Sequence, residues 1–208
     1  VSGHRYDSIR AKETLQAAVD SAGYGAPKPD GVGRGIAMAY RSPGSGESAV
    51  TVSLNTNGSV VVTTPVYDQG TGTYTTLRQV VAEELGLPLE HVQVSVVSTD
   101  DAPFDSGIGG SRGTRITTGS AYQAVTKARG MLLQTVADAN GWPVDQLTVD
   151  GTDVVRRDTE ERTAWADVLA KTGQPTKAEA VNIDNDQASV TAFTAQVAEV
   201  LVDRETGE

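Results

Sequence analysis

Two glycine-rich segments carry the residue types from which a binding site is most readily built. The first is Asp68-Gln69-Gly70-Thr71-Gly72-Thr73-Tyr74-Thr75. Its glycines let backbone N–H groups approach a ligand closely, and the helix expected to follow adds partial positive charge, so an anion such as phosphate suits it; a ligand-free tight turn is the alternative. As a dinucleotide fingerprint the segment fails. Thr75 stands where the third glycine of G-x-G-x-x-G belongs, and no acidic ribose partner follows on a parallel strand at the expected distance.

The second segment, GIGGSRGTRITTGSAY at residues 107–122, gathers backbone donors, the hydroxyls of Ser111, Thr114, Thr117 and Thr118, and the guanidiniums of Arg112 and Arg115. Such a set suits phosphate or an oxyanion through forked, charge-assisted bonds. The competing reading pairs the two arginines with Asp100, Asp101 or Asp105, so that they merely hold the loop. Both readings stand on sequence alone. Gly109-Gly110-Ser111-Arg112-Gly113 also spells the G-x-S-x-G nucleophile elbow, but the nearest expected strand ends near Ser98, and the histidines are confined to His4 and His91. His91 reads as a surface histidine. With no cysteine and two distant histidines, disulfides, Fe–S ligation and a zinc site are excluded. The acidic run from Asp100 to Asp105 lacks EF-hand spacing and reads as a turn. No metal-ligating and no catalytic residue is assigned.

The elements that must position these loops follow from periodicity. Asp7 or Ser8 is expected to cap a helix with Leu15, Ala18, Val19 and Ala22 on one face and Gly23 as its stop. Strands are expected at Gly35 to Arg41, Ala49 to Asn55 and Ser59 to Val66, the last two joined through Thr56-Asn57-Gly58. A helix from Thr75 to Leu85 and a strand from Val92 to Ser98 lead into the long loop from Thr99 to Arg115. A helix from about Thr117 to Asn140 follows it, with Ala121, Val125, Ala128, Leu132 and Val136 in line. Beyond Trp142 come short strands, a helix near Trp165 to Leu169, and a final strand from Ser189 to Asp203. The class is α+β, a mixed sheet packed with helices.

Composition narrows the function. A chain of 208 residues with 38% apolar residues can bury a core, and a net charge of −10 without a basic cluster excludes a nucleic-acid or anionic-membrane footprint. No apolar run approaches the roughly 20 residues needed to cross a bilayer.

The segments GRGIAMAYR, NTNGSVVVTTPVYDQGTGTYTTLRQVVAEELGLPLEHVQVSVVSTDDAPFDSGIGGSRGTRITTGSAYQAV and AEVLVDRETGE, in that order, resemble the molybdopterin-binding large subunit of the molybdenum hydroxylases, the family of xanthine dehydrogenase, aldehyde oxidase and carbon monoxide dehydrogenase. The resemblance covers most of residues 33 to 208. It rests on the G-T-G-T-Y-T loop, the A-E-x-L-G-x-P helix end, the T-D-x-x-P segment and the G-G-S-R-x-T loop. It implies an α+β fold that is part of a molybdopterin-binding domain, with Gly70, Thr71 and Gly72 near the oxo and sulfido ligands of molybdenum. It places Gly109, Gly110, Ser111 and Arg112 along the pterin phosphate or the apical side of the metal.

Departures from the family pattern are equally specific. Thr71 stands where many members carry Gln, the upstream G-G-x-F-G loop is missing, and so is the glutamate that acts as base in the family, which is therefore expected beyond Glu208. The expectation is a partial molybdopterin-binding domain at 32–208, preceded by a helix and Gly/Pro-rich link at 1–31. The resemblance implies molybdopterin, in a dinucleotide form, in the full-length protein and none in the isolated chain, which is expected to be inactive. It further implies oxidative hydroxylation of an aldehyde or N-heterocycle with water in the assembled enzyme. The implied partners are the remaining molybdopterin-binding segments, Fe–S and FAD subunits or domains, and a small-molecule substrate; nucleic acid and membrane are excluded, and the expected location is cytoplasmic. The alternatives are a non-catalytic scaffolding subunit and a cofactor-free structural domain of a split oxidoreductase.

Overall fold

The computed structural model describes residues 6–98, 100–184 and 191–208. The chain divides into two compact units, one formed by residues 1–44 and 186–208 and the other by residues 45–185. Thr99 and the expected strand start at Ser189 lie outside the described residues.

In the first unit a helix, α1 (Ala11–Ser21), accompanies a two-stranded antiparallel ribbon of β1 (Val32–Arg41) and the strand at Ala192–Leu201, called β9 because it comes last in the chain. The expected Asp7 or Ser8 cap does not form: α1 begins at Ala11 and has no side-chain capping bond. Arg34 organises this unit. Its guanidinium donates to the carbonyl oxygens of Gly23, Tyr24 and Ala26 at 3.1, 2.5 and 3.0 Å and pairs with Glu199, its neighbour across the ribbon.

The second unit holds both glycine-rich loops. Its main sheet runs β4 (Val92–Val96), β3 (Val60–Thr64), β2 (Gly46–Leu54), β8 (Thr176–Asp184). It is mixed: β3 pairs parallel with β4 and antiparallel with β2, and β2 pairs antiparallel with β8. Gly58, at φ +84°, turns β2 into β3, as Asn57-Gly58 foretold.

Period-two alternation selects the buried face of this sheet. Val50, Val52 and Leu54 of β2, Val60 and Val62 of β3, and Val92 of β4 all turn inward and are fully buried. The register lines Ala178, Val52, Val62 and Val94 across the four strands. Helix α3 (Thr118–Asn140) lies on β2 and β8, and α2 (Thr73–Leu85) packs beside it. The stripe Ala121, Ala124, Val125, Ala128, Leu132 and Val136 on α3 is fully buried, and α3 packs on β8, whose buried positions include the small residues Ala178 and Ala180. Three short strands, β5 (Leu147–Asp150), β6 (Asp153–Arg156) and β7 (Arg162–Ala164), form a separate antiparallel sheet, and α4 (Trp165–Thr172) packs on α3.

The fold is α+β with a mixed sheet, as expected from sequence. Strand β8, nine residues long and paired along the whole of β2, was not anticipated. Leu132 sits at the centre of the core, so Leu132→Ala is expected to cost about 3 kcal/mol through lost burial and an incompletely collapsed cavity, measurable by denaturant unfolding.

Candidate functional site

The loop at 68–73 follows β3 and feeds α2. Asp68 turns back on it: Oδ1 accepts bonds from the amides of Gly70, Thr71 and Gly72 at 2.9, 2.9 and 3.2 Å. Desolvation pushes the Asp68 carboxyl up, but the backbone N–H groups of Gly70, Gly72, Tyr74 and Thr71 together outweigh it and hold the group below the ordinary carboxylate range. The amides expected to receive an external anion therefore receive the chain's own carboxylate. The Thr71 and Thr73 hydroxyls of this loop lie 3.0 Å apart, Thr71 exposed and Thr73 buried.

The loop from 100 to 112 is fastened to the start of β2. Asp105 Oδ2 accepts from Ser48 Oγ at 2.6 Å and from the Ala49 amide at 3.2 Å, while Oδ1 accepts from the Gly107 amide at 2.6 Å. Ser106 exchanges two bonds with Glu47: its amide donates to the Glu47 carbonyl at 3.0 Å, and its Oγ accepts from the Glu47 amide at 3.1 Å.

Arg112 closes the loop on itself. Its Nε donates to the Gly107 carbonyl and its Nη1 to the Ser45 carbonyl, both at 2.7 Å. Arg115 pairs with Asp184 at the end of β8. Of the two open readings, the one that has the arginines hold the loop is corrected in its partners: in place of Asp100, Asp101 or Asp105, Arg112 bonds the Gly107 and Ser45 carbonyls and Arg115 pairs with Asp184. The acceptors within reach of Arg112 are carbonyl oxygens, because Asp105 is already committed to Ser48, Ala49 and Gly107.

After Arg112 the chain makes one wide π-helical turn, Gly113–Thr117, before α3 begins. Ser111, in the turn just ahead, adopts φ +61°, a left-handed conformation uncommon for any residue with a side chain. Thr117 is buried with its hydroxyl bonded to Ser48 Oγ, and the half-buried Thr118 hydroxyl donates to the Thr114 carbonyl, which removes both from the candidate set.

The two loops meet at a cleft of about 200 Å³ lined by Thr71, Thr73, Ile108, Ser111, Gly113 and Thr114. Of the residues singled out from sequence, Thr71, Ser111 and Thr114 line it. Gly70, Gly72, Gly109, Gly110 and Arg112 belong to the supporting loops instead. Thr73 and Ile108 escaped the sequence reading, although Thr73 repeats the Gly-Thr pattern two positions after Thr71. Among the residues lining the cleft there is no carboxylate, imidazole or amine, so it can bind a polar ligand through hydroxyls but holds no group able to exchange a proton near neutral pH. Ile108 also borders a larger, mostly apolar hollow of about 520 Å³ that includes Pro65, Tyr67, Pro103 and Phe104. Among the described residues no group of acidic, histidine or cysteine side chains is arranged to hold a metal ion.

Two substitutions test this architecture. Gly46 has φ +139°, and a Cβ there would lie 2.7 Å from Arg112 Nη1 and 3.1 Å from Ser106 Oγ. Gly46→Ala is expected to displace the guanidinium and cost about 2 kcal/mol, close to the effect of Arg112→Ala, when both are compared by denaturant unfolding. Ser111→Gly relieves the left-handed backbone and is expected to raise stability by about 1 kcal/mol while removing a hydroxyl from the cleft.

Comparison with known proteins identifies the family. Residues 9–208 match the molybdopterin cofactor-binding domain. Over 105 residues the chain is 40% identical to the aldehyde oxidoreductase molybdenum-binding subunit PaoC of Escherichia coli (strain K12), covering 50% of this chain and 14% of that protein. It is 30% identical over 165 residues to the carbon monoxide dehydrogenase large chain of Hydrogenophaga pseudoflava, covering 76% of this chain and 20% of that one. The fold matches quinoline 2-oxidoreductase from Pseudomonas putida 86 with a TM-score of 0.73 at 21% identity, over 98% of this chain and 29% of that chain. The chain therefore spans less than a third of each of these relatives, and it belongs to the molybdopterin cofactor-binding domain family of the molybdenum hydroxylases.

Proposed function

We propose that this chain forms one wall of the molybdopterin site of a larger molybdenum hydroxylase. One observation carries the reading: two glycine-rich loops far apart in sequence place four hydroxyl-bearing residues, Thr71, Thr73, Ser111 and Thr114, around one cleft. Neutral hydroxyls and nearby backbone suit the heteroatom-rich edge of a pterin. The strained Ser111 and the π-turn beside it are features that concentrate at functional sites.

In this reading Thr71, Thr73, Ser111 and Thr114 hold the cofactor directly. Gly70, Gly72, Gly109 and Gly110 shape the backbone around it, and Arg112 fixes the second loop and keeps a positive charge beside the cleft. When bound, the cofactor, in a dinucleotide form, supplies the two-electron redox chemistry for hydroxylating an aldehyde or N-heterocycle with water. This chain's own residues bind and orient; the proton-accepting base, the remaining cofactor-binding segments and the Fe–S and FAD partners lie in other parts of a cytoplasmic enzyme. The binding region runs over 32–208, with 1–31 as a helix and link ahead of it. The absence of a titratable group lining the cleft supports the inactivity of the chain alone.

The test is molybdenum per polypeptide, by elemental mass spectrometry, on the chain joined to the segments that complete the site in its relatives and made in a cofactor-producing host. About one molybdenum per chain is expected, with Ser111→Ala weakening retention about fivefold through the lost hydrogen bond. A folded sample without molybdenum would favour the scaffolding or cofactor-free reading. Aldehyde turnover above background by the 208-residue chain alone would overturn its assigned inactivity.

A further inference from the structure

The amide nest at the entrance to α2 is filled from within. Gly70 and Gly72 have φ of +91° and +78°, a geometry that turns successive N–H groups toward a common point. The anion at that point is Asp68, bonded to the amides of residues 70, 71 and 72. Among the described residues no Lys, Arg or His side chain is ion-paired with Asp68, so its charge is met by backbone dipoles and by solvent at its half-exposed side. Gly72 makes no side-chain capping bond at the start of α2, and the carboxylate four residues earlier satisfies its amide in place of a local cap.

We propose that Asp68 is a positioning residue of the cofactor cleft, holding the Gly70–Thr73 loop in its binding shape before any ligand arrives. This rests on the reading of the cleft as a molybdopterin site. Two glycines on either side of Thr71 would otherwise leave the loop many conformations, and the cost of ordering it would fall on ligand binding. With the carboxylate in place, the Thr71 and Thr73 hydroxyls are fixed 3.0 Å from each other at the cleft wall. The sign of the pH dependence follows from the depressed carboxyl: loop order is complete above the ordinary carboxylate range and is lost as pH falls through the lowered value.

The first arm of the test is an acid titration of the cofactor-free chain by amide NMR. The Gly70, Thr71 and Gly72 signals are expected to move together, with one midpoint below the ordinary aspartate range. Asp68→Ala is expected to speed exchange of these amides about tenfold or more. Asp68→Asn keeps an acceptor oxygen, so it should restore most of the protection while abolishing the titration. Unchanged amide shifts and exchange in Asp68→Ala would overturn the assignment. The second arm is molybdenum content of the assembled protein, expected to fall in the order wild type, Asp68→Asn, Asp68→Ala at unchanged overall folding. Full loading of Asp68→Ala with a disordered loop would overturn the positioning role. An unloaded wild type would instead refute the cofactor reading, and the first arm would still decide what Asp68 does to the loop.

Discussion

The cleft depends on the Asp105 carboxylate and the strand edge it closes. β2 is paired with β8 from Gly46 onward, but its pairing with β3 begins only at Thr51. The amides of Glu47 and Ala49 face the edge that β3 leaves open, and a half-buried edge of that kind needs partners. Asp105 takes the Ala49 amide and Ser106 takes that of Glu47, so two side chains of the long loop stand in for a missing strand. The third bond of Asp105, from the Gly107 amide, turns the chain so that Ile108 and Ser111 reach the Thr71 side.

Each loop supplies its own counter-charge. In the first, a carboxylate neutralises converging amides; in the second, a guanidinium neutralises converging carbonyls. Bonds between a charged group and backbone dipoles are stronger than neutral ones and need no second ionised partner that would have to be desolvated. The charges are thereby spent on loop shape, and the surface left for a ligand is built from hydroxyls and backbone. Gly46 belongs to this arrangement as much as Arg112 does, because the space a side chain would fill is occupied by the guanidinium.

Features governed by local pattern were legible in the sequence. The Asn57-Gly58 turn, the apolar stripe of α3 and the helix stop at Gly86 each depend on neighbours within one or two turns of chain. Strand β8 was not legible, because its inward positions include Ala178 and Ala180 and give little hydrophobic alternation. Those alanines are small because α3 lies against them, a tertiary reason that leaves only a weak trace in the local sequence. The part of Arg112 was hidden for a similar reason, since one acceptor belongs to Ser45, 67 positions earlier. Asp68 is a different case. An aspartate accepting from amides two to four residues ahead is a local pattern, and its proximity to Gly70 and Gly72 could have marked it as the nest's own anion.

The distribution of strain and titratable groups separates holding a ligand from transforming it. Ser111 keeps a left-handed backbone that glycine would adopt at no steric cost, so the fold gives up stability to retain a hydroxyl at the cleft wall. That exchange makes sense for a surface selected to bind. No comparable investment in proton transfer accompanies it: the cleft is lined by threonine, serine, glycine and isoleucine, and Asp68 and Asp105 in the adjoining loops are engaged by backbone amides. The Asp68 carboxylate, held by several N–H donors, is a poor base, because the bonds that fix it also stabilise its charged form. The interactions that brace these loops leave a cleft lined by hydroxyls and backbone, a surface suited to holding a polar ligand.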